Sequence, residues 1–515
     1  VSTAAQTAPV PLKGAPLVLL TVGIALSVFM EVLDTTIVNV SVPNIAGSLG
    51  VSPTEGTWAI SSYSLAAAVM QPLTGWIAKR YGEVRTFTVS VLMFVIFSML
   101  CGLATSMHML VFFRLMQGLV SGPMVPLSQS LIMSNYPPEK RGMGLAIWGV
   151  TVIVAPVFGP IMGGWLTDNF SWPWIFYINV PIGIFAAVVT WSFMRKREST
   201  IVKMPIDAVG LCLLFLGVGS LQFMLDNGND LDWFSSPVIV ALGVTAVIAL
   251  TFLIAWELTE KHPVVDLSLF KHRNFRFGLI GMGLGIFGFF GISVIFPLWL
   301  QTTIGYTSSN AGLATAVVGI LPVILAPIVG KNINRVDLRY ALTFSFSIFA
   351  ISSFWAATRT DQASFVQYAM PRFFQGVGIA FFFVPISQVI MSDLRPHEIA
   401  AASGLSGFVR TIGGSISTAV STWMWEDRGR YHHTVLAEHV NTQSAGWEQY
   451  QSHLQSMGIT AGNMMSYVES VTMKQAMTMA ANDMFRFYGV LFIVIIPILW
   501  LTKPPFGSKG AEGAH

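Results

Sequence analysis

Fourteen stretches of this chain stay apolar for about 20 residues, long enough to cross a bilayer, and this limits what it can fold into. An α-helix rises 1.5 Å per residue, and the hydrocarbon core of a bilayer is about 30 Å thick. Backbone polar groups in hydrocarbon must be satisfied within the structure, so only helices and closed barrels can span it. The runs have helix length and lack the alternation of barrel strands. Numbered in order, segments 1–14 cover 17–42, 57–78, 86–105, 109–134, 143–166, 174–194, 206–226, 237–256, 277–300, 311–330, 340–357, 365–391, 400–425 and 484–502. Charge content agrees, at 10% of 515 residues against about 25% in soluble domains. So few charges cannot cover a soluble protein of this size. The expected fold class is therefore an all-α polytopic membrane protein. A net charge of +3 gives no footprint for nucleic acid. Cys101 and Cys212, both in apolar runs, offer neither a disulfide framework nor a Cys-based zinc site.

Positive charge sets the expected orientation. An even number of spans puts both ends on one side. If that side is the cytoplasm, its segments hold twenty Lys and Arg, among them Lys79, Arg80, Arg85, Lys140, Arg141, Arg195, Lys261, Lys331 and Arg335. The other face holds five: Arg359, Arg428, Arg430, Lys474 and Arg486. Domain limits follow: a cytoplasmic tail over 1–16, a six-helix bundle over 17–194, two additional helices over 206–256, a second six-helix bundle over 277–502, and a cytoplasmic tail over 503–515. The first apolar run has span length and no small-residue cleavage site behind it, so it reads as a span and not as a signal peptide.

The two bundles carry the marks of a repeat. Arg114-Leu-Met-Gln117-Gly118 matches Arg372-Phe-Phe-Gln375-Gly376, Pro126-Leu-Ser128-Gln129 matches Pro385-Ile-Ser387-Gln388, and Ile132-Met-Ser134 matches Ile390-Met-Ser392. Internal repeats of this kind build many secondary transporters, with the substrate path between the halves near the midplane. The offset equates segment 4 with segment 12 and leaves segments 7 and 8 as extras.

Charges inside a bilayer are costly and usually functional. Glu31 and Asp34 lie three residues apart on one face of segment 1. Counting inward at 1.5 Å per residue places Asp34 about 13 Å, and Arg114 of segment 4 about 10 Å, from the same membrane face. The two are expected to meet, either as a fixed pair or as a proton-controlled switch in which protonation of Asp34 frees Arg114. Glu31 either shares that proton or lines the cavity. Arg372 and Arg410 have no acidic neighbour in sequence and either attract anionic substrates or bond helix carbonyls.

Segment 5 carries Pro156, Gly159, Pro160, Gly163 and Gly164, a pattern for a bend or a tight interhelical seal. The loop after segment 2 carries Gly75, Gly82 and Arg85 for a tight, charged turn. Gly283-Leu-Gly285-Ile-Phe-Gly288 fits a dinucleotide pattern but lies in an apolar span without a preceding strand. Neither a GxxxxGK[ST] loop nor an HExxH helix is present, so neither ATP hydrolysis by a P-loop nor zincin chemistry is expected. No metal site and no cofactor are expected. The energy source is expected to be a proton gradient.

The run Leu33-Asp34-Thr35-Thr36-Ile37-Val38-Asn39-Val40-Ser41-Val42-Pro43, the Arg114–Gly118 stretch, Gly159-Pro160-x-x-Gly163-Gly164 and Trp172-Pro-Trp174-Ile-Phe176-Tyr-Ile-Asn179 resemble motifs of the major facilitator superfamily, specifically its fourteen-span drug:proton antiporters. The resemblance implies two six-helix pseudo-repeat bundles plus two extra helices, with Arg114 associated with proton coupling. The superfamily usually has an Asp in the loop after segment 2, where this chain has Lys79. The ending Lys503-Pro504-Pro505-Phe506-Gly507 and the long outer loop are similar to inner-membrane permeases of Gram-negative tripartite multidrug pumps. That likeness implies a periplasmic membrane-fusion partner of the EmrA type, an outer-membrane channel of the TolC type, and a bacterial inner-membrane location.

The outer loop, 426–482, is the only sizeable extramembrane segment expected. Its Met457, Met464, Met465, Met473, Met477 and Met479 suit an adaptable surface, and His432, His433, His439 and His453 fit no standard metal spacing. The expected function is proton-driven export of hydrophobic or amphipathic compounds. Asn39, Gln117, Gln129 and Gln375 are candidate polar contacts in the cavity, Phe287, Phe290, Phe296, Trp299 and Phe382 candidate apolar ones, and Arg372 and Arg410 candidate charges. Alternatives are export of fatty acids, siderophores or other metabolites on the same fold. A membrane-embedded enzyme or sensor lacks, respectively, a polar catalytic cluster and a soluble signalling domain.

Overall fold

A computed structural model describes Leu12 and residues 14–506, apart from 52, 138–139, 203–204, 206, 230, 439–444 and 458. The described residues fold into helices and connecting turns with no strand among them. Ten helices are long and apolar enough to cross a membrane, and eleven if the bent pair Arg141–Pro156 and Ile161–Thr167 counts as one span.

The expectation of fourteen meets this criterion in all segments except 2, 5, 11 and 13, and each exception has a physical cause. Segment 2 is interrupted at Gln71–Leu73, where Pro72 removes a backbone donor, and becomes the helices Trp58–Met70 and Thr74–Tyr81. Segment 5 bends by 45°. Segment 11 is the helix Leu338–Ala356, diluted by Thr343, Ser345, Ser347, Ser352 and Ser353. Segment 13 is the start of Ile399–Glu438, where Ser and Gly replace large apolar side chains and are buried against other helices.

Side-chain caps fix several helix starts by satisfying orphan backbone donors. Ser106 Oγ accepts from Met109 N, Asp207 Oδ1 from Gly210 N, and Asp337 Oδ1 from Arg339 N. Ser364 and Gln367 form a capping box. Gly82, at φ 94°, adopts a conformation that disfavours side chains. It turns the chain so that the Glu198 carboxylate accepts from Val84 N and Arg85 N at 2.9 Å each.

Segment 1 packs on segments 5 and 6, segment 2 on 4, and segment 3 on 4 and 6. Farther along, segment 9 packs on 13 and 14, segment 11 on 12 and 14, and segment 10 on 12. Segment 7 pairs with 8 and lies along 2 and 13. The two sets of helices meet where segment 5 touches 10 and where segment 13 touches the helices Thr74–Tyr81 and Met124–Asn135. Glycines permit backbone contact there. A Cβ at Gly330 would sit 2.5 Å from the Gly142 carbonyl oxygen, and one at Gly75 would sit 2.5 Å from the Ala401 Cα. These glycines lie beside the Lys/Arg-rich loops. Gly47 and Gly312, near opposite helix ends, have nothing within 4 Å of such a Cβ.

The segment expected as an outer loop is largely helical. Segment 13 continues to Glu438, segment 14 begins at Ala461, and Ala445–Ser456 forms a helix between them. Arg428 Nη2 and His432 Nε2 each lie 2.8 Å from Asp483 Oδ2, and His433 Nε2 lies 2.8 Å from Glu469 Oε1. These contacts tie the two extended helices together. His439 and most of the two expected terminal tails lie outside the described residues.

Candidate functional site

Four helices converge on one carboxylate. Asp34 of segment 1 is buried to 1% exposure, in the same interior as Arg114 of segment 4 at 1%. Arg114 Nη1 donates to Asp34 Oδ2 at 2.5 Å and to Gln117 Oε1 at 2.8 Å. Its Nε donates to the Ala59 carbonyl of segment 2 at 2.9 Å. Gln117 Nε2 donates to Asp34 Oδ1 at 3.3 Å, and Asn179 Nδ2 of segment 6 to the same oxygen at 2.8 Å. Asn179 is steadied by Ser98, whose Oγ in turn donates to the Phe176 carbonyl at 2.8 Å. The guanidinium lies 4.2 Å from the centroid of the Tyr63 ring, a cation–π contact in a dry setting.

The predicted meeting of Asp34 and Arg114 is present in this geometry. Asn179 falls within a motif of segment 6, but its role is not legible there, because the rotational face of an apolar helix cannot be set from its sequence. Tyr63 and Ser98 were missed for the same reason. Such a cluster supplies hydrogen-bond donors to both oxygens of a buried carboxylate. Protonation of Asp34 removes the charge that all three side-chain donors address.

Glu31 is also buried, at 6% exposure, and its Oε2 has no hydrogen-bond partner among the described residues. The charges that act on it are Arg410 and Asp34. Arg410 comes from segment 13, in the other set of helices, and its guanidinium lies 5.7 Å from the Trp148 ring centroid. Gln129, Trp148, Met282, Phe383, Ser387 and Arg410 line a narrow cleft shared by both sets. Glu31 and Arg410 thus lie within electrostatic reach of each other, one in each set of helices.

The remaining candidates scatter. Phe296, Trp299 and Phe382 are packed in the interior, with Trp299 edge-on to Tyr368 and Phe485, and Phe382 against Phe346 and Phe349. Phe287 packs edge-on against Tyr488, Phe290 is 39% exposed, and Asn39 is exposed. Gly159 and Gly163 face Thr36 and Ile37, so they let segment 5 approach segment 1 closely. Pro156 lies at the bend, Gly164 is open, and the Pro160 side chain lies outside the described residues. Lys79 pairs with Asp266 at 3.5 Å, and Arg85 Nε lies 4.0 Å from Glu198.

Arg372 and Gln375 form a second buried group. Arg372 Nη1 donates to Gln375 Oε1 at 2.5 Å and Nη2 to Ser293 Oγ at 3.1 Å.

The family model described as Major Facilitator Superfamily matches residues 24–418. The fatty acid resistance protein FarB of Neisseria gonorrhoeae is 48% identical over 505 residues, covering 98% of this chain and 99% of that protein. The multidrug export protein EmrB of Escherichia coli (strain K12) is 48% identical over 507 residues, with the same shares covered. The solved structure of the proton:xylose symporter XylE aligns with a TM-score of 0.56 at 14% identity, over 94% of this chain and 95% of that one. That last likeness is one of fold alone.

Proposed function

Because this chain belongs to the major facilitator superfamily, we propose that it is a proton-coupled antiporter exporting hydrophobic or amphipathic drugs by alternating access. The carrying observation is the Asp34 carboxylate, held dry by Arg114, Gln117 and Asn179. A proton arriving at an Asp34 oxygen cancels the ion pair and weakens the hold of segment 1 on segments 4 and 6. Arg114 keeps its bonds to the Ala59 carbonyl and Gln117, so the cation is not stranded. Loss of the proton restores the pair. Glu31, acting with Arg410 across the cleft, carries the change to the other helices.

The reading includes fourteen spans, arranged as two six-helix halves with segments 7 and 8 added. Pairing of 1 with 5 and of 9 with 13 supports it, as does pairing of 3 with 6 and of 11 with 14. Both termini are placed in the cytoplasm of a bacterial inner membrane on the strength of the Lys and Arg distribution. Backbone contact at Gly142 and Gly330 then supports a state closed on the cytoplasmic side. Energy comes from the proton gradient, without a cofactor. Identity to EmrB supports a place in a tripartite pump, with partners of the EmrA and TolC types.

Purified protein in liposomes with an imposed pH gradient tests the coupling. Substrate-dependent proton movement is expected in the wild type and is expected to vanish in Asp34→Asn while substrate still binds. Proton movement that survives in the mutant would reduce Asp34 to a structural partner of Arg114 and transfer the role to Glu31. A second reading, export of fatty acids, is supported by the 48% identity to FarB. A substrate panel containing both drugs and fatty acids separates the two.

A further inference from the structure

The two buried arginines have the same local partners with one exchange. Arg114 bonds Gln117 three residues on and Asp34 on segment 1. Arg372 bonds Gln375 three residues on and Ser293 on segment 9. A neutral hydroxyl thus stands where the first group has a carboxylate.

Donor accounting shows what that exchange leaves undone. Arg114 Nε and Gln117 Nε2 both have acceptors, the Ala59 carbonyl and Asp34. Arg372 Nε and Gln375 Nε2 have none. Both residues are 2% exposed. Among the described residues no carboxylate pairs with Arg372. A buried cation with two idle donors beside it is costly unless something supplies charge and lone pairs.

We infer that Arg372, Gln375 and Ser293 form a subsite for the carboxylate of an anionic amphiphile, which completes the group as Asp34 completes its counterpart. One carboxylate oxygen accepts from the Arg372 guanidinium and the other from Gln375 Nε2, while Ser293 Oγ, whose proton goes to the Phe289 carbonyl at 2.8 Å, steadies Arg372 Nη2 as an acceptor. The buried Phe296 ring, with its centroid 5.6 Å from the guanidinium, packs beside the group. Ser293 is only half-buried, so the group has an accessible edge. Segment 9 can yield beside it. Pro297 breaks its hydrogen-bond ladder, and a π-helical turn, Leu300–Ile304, follows. The inference rests on the exporter reading and narrows it to substrate class.

Equilibrium binding to the purified full-length protein tests the subsite without requiring transport. The probes are laurate and its neutral counterpart dodecanamide, which differ in charge but not in chain length. The wild type is expected to prefer laurate by about tenfold or more, the size of one or two charge-assisted hydrogen bonds. Ser293→Asp supplies an internal carboxylate and is expected to remove that preference while the protein stays folded. Arg372→Gln is expected to remove it too. Equal binding of both probes by the wild type, or a laurate preference unchanged in Ser293→Asp, overturns the subsite. Vesicle transport of a cationic dye, ethidium, run in parallel, reports on export separately. The unfolding midpoint of Ser293→Asp in detergent, expected within a few degrees of the wild type, reports folding apart from binding. A collapsed midpoint together with lost laurate preference would mark a structural role for the group and overturn the inference. If the wild type prefers laurate but exports neither compound, the exporter reading fails and the subsite stands.

Discussion

Two buried arginines, one on each side of the molecule, are solvated in opposite ways. Arg114 meets a carboxylate, a carbonyl and an amide, and three helices beside its own contribute to the network around Asp34. Among the described residues Arg372 hydrogen-bonds only an amide and a hydroxyl. The same Arg-x-x-Gln sequence therefore builds a closed network in one place and an open one in the other. A motif's chemistry is set by what the facing helix brings to it. On the reading proposed above, the closed network takes a proton at its one anion and the open one takes a ligand.

The largest test of this contrast removes each arginine. Arg114→Met strands the Asp34 carboxylate and is expected to cost about 3–5 kcal/mol, read as a lower unfolding midpoint in detergent. Arg372→Met strands no partner charge and is expected to cost far less. Equal losses would show that the two networks do not differ in kind. Asn179→Ala removes one donor to Asp34 and is expected to cost about 1.5–3 kcal/mol. Substrate-dependent proton movement in the liposome assay should weaken with it. Proton movement equal to that of the wild type would mean that Asn179 serves some other group. Gly330→Val presses a side chain onto the Gly142 carbonyl, with overpacking expected to cost about 1–3 kcal/mol. It should raise cysteine labelling in the cleft from the Gly330 end, because the two sets of helices can no longer meet there. Unchanged labelling would separate that contact from closure. The smallest effect is expected for Lys79→Ala, whose half-exposed pair with Asp266 contributes about 0–1 kcal/mol. A drop of several degrees in midpoint would show that this bridge holds more than a loop.

The meeting of Asp34 and Arg114 was legible in the sequence because helical rise is constant and both residues could be counted from one membrane face. Helix rotation has no such ruler. Asn179 and Ser98 sit on apolar helices whose inward face is decided only by packing, so their place at the carboxylate could not be read. The aromatic candidates met the same obstacle. Trp299 and Phe382 carry the composition of a binding wall, yet they fill the interior of the helix packing. Segments 11 and 13 owe their lower hydropathy to Ser and Gly, several of which are buried among other helices. Lys79 shows the reverse case. The departure from the usual acidic residue was plain in the sequence, but its partner, Asp266, lies far along the chain and emerged only from the fold.

Segment 7 has one more consequence. It lies along segments 2 and 13 and is pinned to the latter by a 2.8 Å bond from Gln222 Nε2 to Ser415 Oγ. The molecule has two seams where its helix sets meet, and this segment runs beside one of them. The seam between segments 5 and 10 has no such companion among the described residues. Seen down its long axis, the protein thus has a shielded flank and a bare one. A compound dissolved in the surrounding lipid would meet two unequal flanks, so the protein has a handedness toward the bilayer.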